Sequence, residues 1–360
     1  MSEERLRIRK VSREKARKRP RDESKLGFGQ FFSDHMFLLD YSTEKGWHRP
    51  RIEPYHTFSL SPAAMVLHYG QEVFEGLKAY RGENGAIYLF RARDNLARFN
   101  RSSKRLCVPE IGVDRVYDGL KKLIALDQKW VPRSPGTSLY IRPTVIATDP
   151  FLGVRASSTY LFYIITGPVG AYYPEGFNPV SIYVTDKYVR AVRGGIGEAK
   201  TSGNYAASLM GQVEAKSLGY TQVLWLDGIE RKWIEEVGTM NIFFLVDDEV
   251  ITPPLTGSIL PGITRDSVLK ICKSWGMKVS EKPLSIDELI GGIQAGRVKE
   301  VFGTGTAAVI SPVGIIHSKG KNHQVADGKT GKLSQKLFDY LTGIQVGRVK
   351  DPFGWMDRVI

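Results

Sequence analysis

The sequence predicts a mixed α/β protein of the α+β kind, built as two domains. Three observations predict it. Stretches of strand and helix character occur in both halves without regular βαβ alternation, which argues against a single doubly wound sheet. The 360 residues are 42% hydrophobic, enough for two ordinary cores. Residues 167–179, G-P-V-G-A-Y-Y-P-E-G-F-N-P, interrupt the middle of the chain with Gly, Pro and Asn. The expected division is a basic arm over 1–25, a smaller first domain over 26–166, an interdomain loop over 167–179 and a larger second domain over 180–360.

In chain order, 36–41, 87–90, 138–147 and 158–166 read as strands, being short and rich in β-branched and aromatic residues. Asp94 is placed to cap a helix that buries Leu96, Phe99 and Leu106, and a second helix runs through Val116, Leu120, Leu123 and Ile124. After the loop, a strand is expected over 180–185, then a Gly-rich approach to Lys200 and a helix over 205–218. Residues 221–226 form a strand ending in the turn signal Asp227-Gly228, and 241–246 another. A helix follows Gly262, with Val268, Leu269, Cys272 and Trp275 on its apolar side and Gly276 at its end. Ser285 and Glu288 have capping-box spacing. Residues 299–302 read as a strand opening into a Gly-rich loop, and 334–344 as the last helix.

The bulk properties exclude several classes. There is no repeat period, no apolar run near membrane length and no apolar leader. Cys107 and Cys272 are isolated, so neither a disulfide framework nor a metal knuckle is expected, and a reducing cytoplasm fits. The six histidines show no ligand spacing, so no metal is expected. The formal charge is +13, of which residues 1–25 contribute +6. A basic arm can bind nucleic acid, but no basic-aromatic recognition motif accompanies it. A solvated arm tacked on by Leu6, Ile8 and Val11 is the favoured reading, with no nucleic-acid or membrane partner.

Three segments carry chemistry. Lys200 stands in G-E-A-K-T-S-G-N-Y-A, where small neighbours leave room for a flat ring to reach the amine. In W-I-E-E-V-G-T-M-N, two carboxylates precede an apolar strand, and a carboxylate can keep a pyridine nitrogen protonated. S-I-L-P-G-I-T-R opens a helix, whose free N–H groups suit a phosphate, and G-T-G-T-A-A permits close backbone approach. Each alone has a plain alternative: a solvated lysine, a charged strand end, an ordinary turn. Together they suggest a cofactor with a phosphate, a ring nitrogen and an aldehyde.

From about Leu26 onward the chain closely resembles the branched-chain aminotransferases, of the D-amino-acid-aminotransferase-like pyridoxal-phosphate fold (fold type IV). The resemblance rests on L-G-F-G-Q-F-F-S-D-H-M-F (26–37), H-Y-G-Q-E-V-F-E-G-L-K-A-Y (68–80), S-L-Y-I-R-P (138–143) and the segments above, in order. It implies pyridoxal 5'-phosphate as cofactor. It implies Lys200 as the catalytic residue that condenses with the aldehyde and then carries the proton between Cα and C4′. Tyr205 would hydrogen-bond the phenolate oxygen. Glu236, rather than Glu235, would pair with the ring nitrogen. Arg98, Ile263, Thr264 and Thr306 would hold the phosphate. Thr239 with the Ala307–Ala308 backbone would take the substrate α-carboxylate. Phe28, Tyr69, Phe74, Tyr140 and Tyr172 would line an apolar pocket, and Arg142 would accept the distal carboxylate of glutamate.

The resemblance also implies a homodimer, with Tyr69 reaching the partner's site. The expected substrates are L-leucine, L-isoleucine and L-valine, their 2-oxo acids, and glutamate with 2-oxoglutarate. Ala308 and Ser311 stand where animal members carry a C-x-x-C pair, so that redox switch is expected to be absent. A D-amino-acid aminotransferase or an aminodeoxychorismate lyase of the same fold is the alternative. A basic nucleic-acid-binding protein with a dead enzyme fold is the reading from another class.

Overall fold

The computed structural model describes residues 4–170 and 177–360, so Tyr172 lies outside the described residues. The chain divides into two compact units. Among the described residues the first holds 4–170, 199–202 and 343–360, and the second holds 177–198 and 203–342.

The first unit contains β1 (Arg7–Ile8), β2 (His35–Ser42), β3 (Gly46–Pro54), α1 (Met65–Tyr69), β4 (Glu72–Phe74), β5 (Leu77–Arg81), β6 (Ile87–Phe90), α2 (Ala92–Arg105), α3 (Val113–Leu126), β7 (Ser138–Ala147) and β8 (Thr159–Val169). The second contains β9 (Val180–Val184), α4 (Ser202–Ser217), β10 (Gln222–Leu226), β11 (Ile234–Val237), β12 (Met240–Val246), β13 (Glu249–Thr252), α5 (Ile263–Ser274), β14 (Lys278–Glu281), α6 (Ile286–Gln294), β15 (Val298–Gly305), β16 (Val309–Ser318), β17 (Lys321–Gln324) and α7 (Lys332–Gln345). The last strand, β18 (Met356–Arg358), pairs with β6 and so returns to the first sheet.

The first sheet runs β1-β3-β2-β8-β7-β5-β6-β18, with β4 also on β7. Alternation along its strands decides what each face carries. On β7, Leu139 and Ile141 join the core with Leu96, Phe99, Leu120 and Leu123 of α2 and α3. The intervening Tyr140 and Arg142 therefore stand on the other face. The second sheet runs β11-β10-β9-β16-β15-β12-β13-β14, with β17 on β16. An extra β11–β12 pairing closes six of these strands into a ring.

Several expectations are corrected here. Asp94 does not cap α2. The cap position is Arg91, at φ 51°, and Asp94 sits in the first turn, 2.6 Å from the Arg91 guanidinium, where a carboxylate suits the helix dipole. Residues 167–169 continue β8 rather than starting a loop. Gly167 is small because a Cβ there would come within 1.9 Å of the Phe31 carbonyl oxygen, so this glycine marks a close approach. Gly303 and Gly305 likewise belong to β15, not to a loop. Residues 343–360 stand with the first unit, although the sequence reading places 180–360 in one domain. Strand β3 escaped notice because its R-P-R-I-E-P run hides the apolar alternation, and Arg49 has φ 52°. The capping box at Ser285 and Glu288 is present as expected.

Candidate active site

In the first unit, residues 199–202 lie along β4. The Lys200 N–H donates to Ser102 Oγ at 2.9 Å, its carbonyl accepts the Phe74 N–H at 3.0 Å, and Thr201 Oγ1 donates to the Glu72 carbonyl at 2.6 Å. Lys200 Nζ stands 5.0 Å from the Phe74 ring centroid, within cation–π range. The Arg142 guanidinium lies 4.7 Å from the same centroid, and its Nη2 donates to the Tyr140 hydroxyl at 3.0 Å. The Tyr140 ring meets Phe28 edge-on at 4.8 Å. A Cβ at position 76 would come within 2.2 Å of the Tyr140 hydroxyl, so the glycine of F-E-G makes room for that ring. Lys200, Phe74, Arg142, Tyr140 and Phe28 are thus gathered into one aromatic and cationic cluster. Burial raises the nearby Glu72 carboxyl above its ordinary range, against a Ser202 hydrogen bond and the Arg142 charge.

Arg98 is buried on α2. Its Nε and Nη2 donate to the two oxygens of Glu75 at 2.7 and 2.8 Å, and Glu75 is itself fully buried. Sequence reasoning gave Glu75 no role. Its signal was available, since an acid flanked by V-F and G-L on a buried strand end requires a charged partner. Tyr69 stands apart from this cluster. It is 39% exposed, and its hydroxyl donates to the Leu152 carbonyl.

In the second unit, β11 carries two buried carboxylates, and alternation sends them to opposite faces. Glu236 accepts the Asn241 amide at 3.0 Å and has the Arg190 Nε at 2.5 Å, a charge contact rather than an aligned hydrogen bond. Arg190 also donates to the carbonyls of Gly197 and Ser258, at 2.9 and 2.6 Å. Glu235 instead accepts the Ser258 hydroxyl, and burial pushes its carboxyl upward despite that bond. The two acids therefore have different partners, Asn241 and Arg190 for Glu236 and Ser258 for Glu235. Between β11 and β12 the two-residue turn is Gly238-Thr239. Gly238 has φ 55°, which a two-residue hairpin of this kind needs at its first position. Thr239 is exposed at its tip.

Helix α5 begins at Ile263 and Thr264, after an N-cap Gly262 that offers no side-chain cap. A Cβ on Gly262 would come within 1.9 Å of Asn241 Oδ1. Asn241 donates both to Glu236 and, at 2.9 Å, to the Leu260 carbonyl. It therefore ties the acid to the start of α5. Thr306, Ala307 and Ala308 form the half-buried turn between β15 and β16. The next residue, Val309, has φ 63°, a strained setting for a β-branched side chain. Tyr205 is half-buried in the first turns of α4. Arg190 and Asn241 are the positioning residues that the sequence reading missed. Asn241 closes the quoted E-E-V-G-T-M-N segment, but nothing in a one-dimensional string links Arg190 to Glu236. Among the described residues no group of His, Cys, Asp and Glu could hold a metal ion, and no helix is long and apolar enough to cross a membrane.

The family model for amino-transferase class IV matches residues 72–316. The chain belongs to this family. Among curated relatives of this class IV chain, "Branched-chain-amino-acid aminotransferase 2" of Bacillus subtilis (strain 168) is 55% identical over 343 residues, covering 95% of this chain and 94% of that protein. The crystal structure of the Escherichia coli branched-chain amino acid aminotransferase superposes with a TM-score of 0.75 at 28% identity, covering 90% of this chain and 99% of that one. The T.th. branched-chain amino acid aminotransferase complexed with N-(5'-phosphopyridoxyl)-L-glutamate superposes with a TM-score of 0.73 at 25% identity, covering 90% and 98%.

Proposed function

We propose that this class IV enzyme transfers the amino group of L-leucine, L-isoleucine or L-valine to 2-oxoglutarate, using pyridoxal 5'-phosphate held by Lys200. The observation that carries the reading is the Lys200 amine over Phe74, in one cluster with Arg142 and Tyr140. The named function of the 55%-identical relative supports it, as does the phosphopyridoxyl-glutamate adduct bound by the T.th. enzyme.

The donor chemistry fits the cofactor. An uncapped helix start beside a threonine hydroxyl suits a phosphate. A buried carboxylate braced by an arginine and an amide suits a protonated ring nitrogen. When bound, pyridoxal phosphate supplies an aldehyde carbon and an electron-withdrawing ring. In the second unit Ile263, Thr264 and Thr306 would hold the phosphate; in the first, Arg98, its guanidinium directed by Glu75, would do so. Glu236 would keep a proton on the ring nitrogen, and Tyr205 would donate to the ring oxygen. Lys200 Nζ would hold the cofactor's aldehyde and serve as the base and acid for the substrate Cα proton. Thr239 and the Ala307–Ala308 backbone orient the α-carboxylate. Phe28, Phe74 and Tyr140 cover aliphatic side chains and exclude water, which favours Leu, Ile and Val by burial. Arg142 receives the distal carboxylate when glutamate or 2-oxoglutarate occupies the site.

The same reading includes a homodimer working in the cytoplasm. The exposed Leu67, Tyr69, Leu152 and Val154 support a second copy covering this edge. Borohydride treatment of the yellow holoenzyme is expected to bleach it and leave a reduced adduct on Lys200 in the mass spectrum. Lys200→Ala is expected to lose steady-state transamination, and L-leucine to be accepted where D-alanine and aminodeoxychorismate are not. Appreciable turnover by Lys200→Ala would overturn the assignment.

A further inference from the structure

The basic arm takes no part in this chemistry, yet it is built into the first sheet. Strand β1 runs parallel to β3 with Arg7 in register with Arg51 and Ile8 with Ile52. The Arg9 N–H donates to the Ile52 carbonyl at 2.9 Å, and the Val11 N–H to His35 Nε2 at 2.9 Å. The arm is therefore held at successive points, not merely solvated. Its pairing places two arginines side by side, and like charges opposite one another on paired strands repel.

Arg5, Arg7, Arg49 and Arg51 line one groove of about 620 Å³. Asp40 neutralises part of this charge, lying 3.1 Å from Arg49 and 3.0 Å from Arg51, and Glu4 accepts the Arg49 N–H. Arg5 and Arg7 have no carboxylate partner among the described residues. Arg49 reaches the groove from a backbone at φ 52°, which arginine seldom adopts. Glu4 and Pro50 complete the lining, while Leu6 and Ile8 alternate with the arginines and Leu6 packs on the core. Three other arm cations are engaged away from the groove. Arg9 pairs with Glu53, Arg17 stacks on Tyr55 and Arg19 donates to the Lys129 carbonyl.

We infer that this groove binds a small polyphosphate-bearing anion, its phosphates held by Arg5, Arg7 and Arg49. The volume lies within the ~300–1,000 Å³ usual for small-molecule sites. Guanidinium forks match phosphate oxygens in pairs. The lining is confined to residues 4–8 and 49–51, an extent that suits a compact ligand better than a nucleic-acid strand.

The test is calorimetric titration of the holoenzyme, whose own phosphate site is filled, with ATP, tripolyphosphate and adenosine. Saturable binding of ATP and tripolyphosphate is expected, with none of adenosine. Arg5→Ala/Arg7→Ala should weaken both anions by at least about tenfold while leaving leucine turnover unchanged. Three outcomes would overturn the inference: no saturable binding up to about 1 mM, equal affinity in the double variant, or a salt-sensitive complex with single-stranded RNA that ATP does not displace.

Discussion

Among the described residues the two units each carry a nine-stranded sheet, but they hold their clustered side chains differently. On the first sheet, Phe28, Tyr140 and Arg142 are half-buried and meet through ring edges and cation–π contacts. These contacts tolerate adjustment. In the second unit, Arg190 and Asn241 donate directed bonds to backbone carbonyls, and Asn241 also donates to Glu236. Soft contacts can serve an aliphatic chain and a carboxylate in turn, whereas a directed network serves one partner. Damage to the second unit's network should therefore be near all-or-none, and damage to the first unit's cluster should depend on substrate.

The largest expected effect tests the network. Glu236→Gln is expected to lower kcat by about a hundredfold or more, while Glu235→Gln changes it only a few-fold. Similar losses in both would abolish the distinction drawn between the two acids. The cluster is probed next. Arg142→Ala should cost the glutamate half-reaction about ten- to a hundredfold and the leucine half-reaction far less. Single-turnover absorbance measurements with each substrate separate these, and equal losses would reject the dual-substrate role.

A smaller effect concerns stability away from both regions. Burial would raise the Asp149 carboxyl, but donors from Ser158, Thr159 and Arg155 outweigh it and hold the group at about 2. Because the folded value is depressed, the stabilisation is present above the ordinary carboxylate range and lost as pH falls toward 2. Asp149→Asn should cost about 2 kcal/mol at neutral pH, with the gap to wild type closing in acid. Urea unfolding at several pH values measures it, and a pH-independent gap would refute the account. The smallest effect is chemical. Cys107 is exposed, whereas Cys272 is buried with its thiol pushed up to about 12. One thiol per chain should react with a disulfide reagent in the native protein and two after denaturation. Two rapid native reactions would contradict the packing of α5.

Much of this was legible in the sequence where the signal is local. Strand β7 reads directly from S-L-Y-I-R-P-T-V-I-A, and the α6 capping box from Ser285 and Glu288. What escaped was set by pairing across long separations. The polar β3 strand is defined by its neighbours, and β18 reveals itself only on meeting β6. Glycines misled in both directions, since Gly167 and Gly303 resemble loop residues but are small because Phe31 and Met240 crowd them. Arg190 lies 46 positions from Glu236, and only the folded chain brings them to 2.5 Å.

The missing side chain at Gly262 has a wider consequence. Asn241 fills the space that any larger residue there would need, and the same amide braces Glu236. The start of α5 and the acid on β11 cannot then drift independently over evolutionary time. A substitution at 262 would disturb the start of α5 and the buried acid together. Variation should accumulate instead where contacts are softer, in the aromatic cluster of Phe28, Tyr140 and Arg142.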